Sequence, residues 1–151
     1  MDNYFCAYVA GFVDGEGSIS IGKIVHRNYV SKKTGDVIPY DQYHLRVTIC
    51  QNVKEVLEKI QIEYGGKLKA RKPFKNETRT VYYLVFDCVA AKKFLEKIYP
   101  YLIVKRKQAS IGIEFQNMLA DKTLSKVYKN SKKHLYKQEI ERLNQAKIWE
   151  A

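Results

Sequence analysis

Cysteine, proline, tryptophan and histidine are all scarce in this chain of 151 residues, which holds three Cys, three Pro, one Trp and three His. Cys6, Cys50 and Cys88 are odd in number, far apart and without a C-x-x-C pair, which excludes both a disulfide framework and a cysteine-type zinc site. They predict buried thiols in a reducing intracellular compartment, the cytoplasm of a prokaryote or an organelle matrix. His26, His44 and His134 match no metal-ligand spacing, so exposed or base-contacting histidines are expected. There is no long apolar run. The stretch from Tyr4 to Val13 is too short to span a bilayer, follows Asp2 and lacks a basic leader, so neither export nor membrane insertion is expected.

Acidic residues are also in short supply, 16 against 27 Lys and Arg, which leaves a formal charge of +11. The excess runs from Lys23 to Lys147 and is not gathered in a tail, a distribution that favours a polyanionic partner, nucleic acid first, over a disordered arm or a small-molecule substrate. With 46% hydrophobic residues and no internal repeat, the chain fits one globular domain over 1–151. Its end, about 121–151, reads as a helical extension. Within it Lys122 to Lys137 is so rich in Lys that a partly mobile connection is expected.

Residues 4–14 read as a helix with Phe5, Val9, Phe12 and Val13 on one stripe and the small residues Ala7, Ala10, Gly11 and Gly15 on another. Glycine costs roughly 1 kcal/mol of helix stability relative to Ala, so a small-residue stripe needs a reason, such as close approach of another backbone. Gly15 and Gly17 are expected to end the helix in the left-handed conformation of a C-cap. Two alternating runs follow, Ser18 to Tyr29 and Tyr40 to Cys50, joined through the turn-forming 31–36 as a long hairpin. Val53 to Tyr64 is an amphipathic helix stopped by Gly65 and Gly66. A second hairpin runs Lys67 to Phe74 and Thr80 to Asp87 around the polar turn 75–78. Helices are expected at Ala90 to Ile98, Leu102 to Leu119 and Lys137 to Trp149. The pattern is α+β, a four-stranded antiparallel sheet with helices on one face.

The other face of that sheet carries Ser20, Gly22, Ile24, His26 and Asn28 from the first run and Gln42, His44, Arg46 and Thr48 from the second. Lys67, Lys69, Arg71 and Tyr82 come from the second hairpin. Hydrogen-bonding side chains interleaved with cations suit base edges and phosphates, and strands can enter a major groove as helices do. Most of the twelve Tyr, with Tyr43 and Tyr83 at inward positions, are expected in the core.

Residues 9–17, Val-Ala-Gly-Phe-Val-Asp-Gly-Glu-Gly, resemble the motif of the LAGLIDADG homing endonucleases in the form with one motif per chain, with Glu in place of the final Asp. The likeness continues through the order of helices and hairpins, Gln51, and the segment 100–109, and covers roughly residues 4 to 119. It implies an αββαββα fold with the motif helix at the interface of a homodimer, where Ala7, Ala10, Gly11 and Asp14 would meet the partner. It also implies that Glu16, with a carbonyl near Gly15, holds Mg²⁺, with Mn²⁺ or Ca²⁺ able to replace it for binding. Oxygen ligands at a helix C-terminus suit such a cation. By the same resemblance Gln51, Lys54 and Lys105 are the catalytic companions of Glu16, and Asp14 makes structural hydrogen bonds. The reading is therefore a site-specific double-strand DNA endonuclease that cleaves a long pseudo-palindromic site and leaves 3′ overhangs. An RNA-binding maturase and a non-catalytic DNA-binding regulator on the same scaffold are the alternatives.

Overall fold

The computed structural model describes residues 2–76 and 78–145. Helix α1, Asn3–Glu16, starts where the Asp2 carboxylate accepts the Tyr4 N–H at 2.9 Å and buries Cys6, Val9, Ala10 and Val13. It runs through Gly15 and passes directly into strand β1, Gly17–His26. The expected left-handed cap is absent, because Gly17 is extended (φ −93°, ψ 166°). Glycine is required there for space: a Cβ would lie 2.8 Å from the Val13 carbonyl oxygen. By contrast Gly65 and Gly66, which end helix α2, Lys54–Tyr64, do take positive φ, 80° and 96°.

Strand β2, Tyr40–Gln51, precedes α2; strands β3, Lys67–Arg71, and β4, Val81–Asp87, follow it. The four strands form one antiparallel sheet in the order β1-β2-β4-β3, two hairpins joined through their inner strands. Beyond His26 the first hairpin continues only as a single bridge, Val30 to Val37, so its tip extends past the core as a loop. The second hairpin is shorter than its sequence pattern: β3 stops at Arg71, two residues before Pro73, which has no N–H to give a ladder. Of the expected turn 75–78, Glu77 lies outside the described residues.

Helix α3, Cys88–Ile98, begins at once after β4, and Cys88 takes φ 53°, a left-handed conformation that non-glycine residues rarely adopt. The thiols were expected to be buried; Cys6 is, Cys50 is partly so, and Cys88, at this surface corner, is exposed. After a 3-10 turn at Tyr99–Tyr101 comes helix α4, Arg106–Ala120. It starts four residues later than its periodicity suggests, because Asp14 accepts the backbone N–H groups of Ile103 and Lys105 and holds that segment as a turn. Helix α5, Lys126–Gln145, replaces the expected mobile connection. Only Ile140 of it is buried, and polar ties hold it: Asn144 Nδ2 donates to the Ile19 carbonyl at 3.0 Å, and Lys129 Nζ to the Leu119 carbonyl at 3.0 Å. The expected end at Trp149 lies outside the described residues.

The core lies between one sheet face and the helices. Ile19, Ile21, Leu45, Val47, Ile49, Leu84 and Phe86 meet Val9, Val13, Leu57, Ile60, Phe94, Leu95 and Phe115 there. Phe86 stacks on Phe94 with centroids 4.1 Å apart. No helix among the described residues belongs to the opposite sheet face. Among the described residues no helix is long and apolar enough to cross a membrane.

Candidate functional site

Two surfaces converge at the junction of α1 and β1. Glu16 is the last residue of α1 and is exposed, at the end of the helix where unpaired carbonyls favour cations. Asp14, one half-turn earlier, is half-buried and spends both carboxylate oxygens within the chain: Oδ2 accepts from Ile103 N at 2.8 Å and Oδ1 from Lys105 N at 2.9 Å. The Lys105 ammonium returns the contact, donating to the Asp14 carbonyl at 2.6 Å. A residue 91 positions away is thereby fixed at the end of the helix that carries Glu16. An ammonium has three N–H donors, so Lys105 keeps two for another acceptor.

The β1–β2 ladder closes at Gly17 and Ile49, so Gln51 runs past the point where β1 gives way to α1. Gln51 pairs with Tyr82 of β4, and its Oε1 turns back to accept from Asn52 N at 2.7 Å. Lys54 opens α2 with its Nζ 3.1 Å from a Glu58 carboxylate oxygen; that hydrogen bond raises the ammonium above its ordinary range. Among the described residues no three His, Cys, Asp or Glu side chains cluster as a metal would need. The Glu16 carboxylate is a hard oxygen donor that suits Mg²⁺, but one chain supplies only part of a shell that water, phosphate or a second chain must complete.

The outer sheet face is set by the strand register. Ser18 opposes Thr48, Ser20 opposes Arg46, Gly22 opposes His44 and Ile24 opposes Gln42, all on the side away from the core. His44 lies over Gly22, where a Cβ would come within 2.4 Å of the ring, and its buried Nδ1 has no hydrogen-bond partner. His26 Nε2 lies 2.9 Å from Gln42 Oε1, and its ring stacks on Tyr40 at 4.5 Å. Asn28 is in the loop beyond β1 and off the sheet, because pairing in the strand ends at His26. Lys67, Lys69 and Arg71 line the outer side of β3, and Arg71 Nε donates to the Tyr83 hydroxyl at 3.1 Å.

Two tyrosines exchange places relative to the sequence reading. Tyr82 shares the core side with Leu84 and Phe86, packing against the core beside Gln51 and Ala70, whereas Tyr83 faces out. The period of two leaves no third option once Phe86 is inside. Val81, Tyr83 and Val85 are as apolar as their neighbours, which hid the alternation. The same parity places Asp87, unnoticed in the sequence, directly opposite Arg46. Arg46 Nε donates to Asp87 Oδ1 at 2.7 Å and Nη2 to Oδ2 at 3.3 Å. The guanidinium beside it holds the Asp87 carboxyl below the usual carboxylate range.

On the free side of α1 a stripe of Tyr4, Ala7, Tyr8, Gly11 and Gly15 is exposed; Tyr4 is 86% and Tyr8 53% accessible. Ala10 does not belong to it. It is fully buried in the chain's own core, one hundred degrees around the helix from Gly11, and cannot meet a partner. A Cβ on Gly11 or Gly15 would touch nothing within 4 Å, so nothing inside the described chain explains glycine at either place.

Comparison with known proteins gives a family match over residues 9–117, to the LAGLIDADG endonuclease model. Among solved structures, the homing endonuclease I-CvuI in complex with its target in the presence of Ca is 24% identical, with a TM-score of 0.71, covering 96% of this chain and 85% of that one. The archaeal intron-encoded homing endonuclease I-Vdi141I complexed with DNA is 22% identical, with a TM-score of 0.72 and coverage of 97% and 88%. The homing endonuclease I-TnaI is 22% identical, with a TM-score of 0.61 and coverage of 93% of each chain. No curated protein matches by sequence. At these identities the structural likeness is one of fold.

Proposed function

We propose that this chain, which belongs to the LAGLIDADG endonuclease family, is a site-specific double-strand DNA endonuclease that acts as a homodimer on a long pseudo-palindromic site. The observation that carries the reading is the junction of α1 and β1. Asp14 and Lys105 bind each other there across 91 residues, beside the exposed Glu16, at the margin of a solvent-facing sheet surface with cations on β3. Two-fold pairing along Tyr4, Ala7, Tyr8, Gly11 and Gly15 would set two such junctions side by side, one for each strand of a duplex. It also accounts for the glycines that the single chain leaves unexplained.

In this reading each sheet lies in a major groove, with half-site centres on the order of one helical turn apart. Glu16 supplies the carboxylate for a divalent cation, Mg²⁺ first. Bound there, the cation would acidify water and stabilise a leaving oxygen. The two N–H groups left on Lys105 suit the charge that develops on a phosphate. Gln51 would orient water once its carboxamide releases Asn52 N, and Lys54 would serve only after leaving Glu58. Hydrolysis leaves 3′ overhangs. Cys50 and Cys88 as free thiols suit a reducing intracellular compartment.

The test is Glu16→Gln, assayed with Mg²⁺ on a randomised duplex pool for both binding and cleavage. Cleavage should fall by more than about 10²-fold, in line with removal of one electrostatic stabiliser of a transition state, while binding persists. Unchanged cleavage would remove Glu16 from the centre. A wild-type chain that binds but never cuts would instead favour the regulator or, if RNA competes, the maturase.

A further inference from the structure

The ion pair between Arg46 and Asp87 lies on the outer sheet face, at the last rung of the ladder between β2 and β4. Strands β2 and β4 are the inner two of the four, and the two residues oppose each other directly across their ladder, 41 positions apart in sequence. Ser20 stands opposite Arg46 on the other side. A guanidinium is a planar fork with two edges, each able to present two parallel N–H groups to a pair of acceptors. Asp87 takes one edge, through Nε and Nη2 at 2.7 and 3.3 Å. The other edge, formed by Nη1 and Nη2, is left over. Of five N–H groups two are used, and among the described residues Asp87 is the one hydrogen-bonding partner of Arg46. The Arg46 side chain is 43% accessible, so the pair is open to solvent on the face where a groove would lie.

Three features bear on the use of this arginine, and its pairing sets it apart from Lys67 and Lys69. The bidentate pair fixes its rotamer, so little freedom is left to lose when a base is met. Its charge is matched by a carboxylate that repels phosphate, whereas Lys67 and Lys69 of β3 are exposed and have no ion pair among the described residues. And a partly exposed ion pair adds little to stability, so the fold itself has small use for it. Two adjacent acceptors in the major groove, N7 and O6, are presented by guanine alone among the four bases.

We infer that Arg46 reads a guanine once in each half-site through its outer edge, and that Asp87 is the positioning residue that turns it from phosphate to base. The inference rests on the duplex-DNA reading above. It assigns Asp87 a function in specificity that the sheet's composition did not suggest, since an acid on a DNA-facing surface otherwise only weakens binding.

Duplexes bound from a randomised pool would be sequenced for the wild type and for Arg46→Ala, Arg46→Gln, Asp87→Ala and Asp87→Asn. The wild type should prefer guanine at one position in each half, related by the two-fold axis. Arg46→Ala should lower that preference, at that position alone, by roughly 5- to 150-fold, the range of a bidentate base contact. Arg46→Gln should shift it toward adenine, whose N6 and N7 match a carboxamide. Asp87→Ala should flatten the same position while binding unrelated duplex more tightly. Its logarithmic salt slope should steepen by about 0.9 per subunit as the released arginine joins a phosphate. Asp87→Asn, which keeps one acceptor, should retain part of the preference. If Arg46→Ala and Arg46→Gln weaken all sequences alike, or Asp87→Ala leaves the base profile unmoved, the guanine assignment is wrong although the endonuclease reading stands. A wild type that enriches no sequence overturns both.

Discussion

Substituting Ala for Gly11 should move folding and self-association in opposite directions. Gly11 lies mid-helix on an exposed face, and an added Cβ meets no atom within 4 Å. In the separated chain the methyl is therefore free of strain and removes the backbone entropy penalty of glycine, a gain of roughly 1 kcal/mol. For a domain of this size that raises the melting temperature by about 2–4 °C. In a two-fold dimer joined along this stripe the methyl enters a close contact twice. Overpacking costs about 1–3 kcal/mol per site, so the two copies together weaken association by about 2 kcal/mol or more, on the order of 30-fold in Kd. Because association itself stabilises the folded chain, the melting temperatures of the variant and the wild type should draw together as concentration rises. The variant is the more stable in dilute solution, and its lead is lost when concentrated, where the association penalty offsets the gain of the two chains. Sedimentation equilibrium over a dilution series, with melts at its two ends, checks both signs. A variant that melts higher at every concentration and associates as tightly as the wild type would show that this stripe meets no partner, and the paired-junction geometry would fall with it.

Asp14→Ala leaves the Ile103 and Lys105 N–H groups without their acceptor and frees the 102–105 turn. A loss on the order of 2 kcal/mol is expected from urea midpoints, discounted for the exposed Ile103 end, with cleavage reduced and binding kept. Asp14→Asn, which keeps one acceptor oxygen, should be milder on both counts. The Arg46 and Asp87 pair should show in the acid limb of stability. Arg46 lowers the Asp87 carboxyl in the folded chain, so the pair's contribution is fully present above about pH 4, the unfolded value, and fades as pH falls through the folded one. Urea midpoints from pH 6 to pH 2 should therefore converge for the wild type and Arg46→Met at the acid end. A constant gap across that range would refute the coupling.

Much of the molecule was written in local pattern. The period of two in Tyr43, Leu45, Val47 and Ile49, the Gly65 and Gly66 stop, and the motif at residues 9–17 fixed the helix and hairpin order and the cationic sheet face, because backbone geometry imposes those periods residue by residue. Where a segment was apolar on both sides, the pattern carried no sign. Tyr82 and Tyr83 were resolved only when Phe86 stacked on Phe94, and Ala10 left the small-residue stripe only because the chain's own core closes over its side of α1. The contacts that organise the site, Asp14 with Lys105 and Arg46 with Asp87, join residues 91 and 41 positions apart. No local period encodes such a distance. The sequence by itself determined which elements form and what chemistry they carry. The tertiary structure decided which side chains meet, since partner choice follows from strand register and helix packing, quantities that exist only once the core has closed.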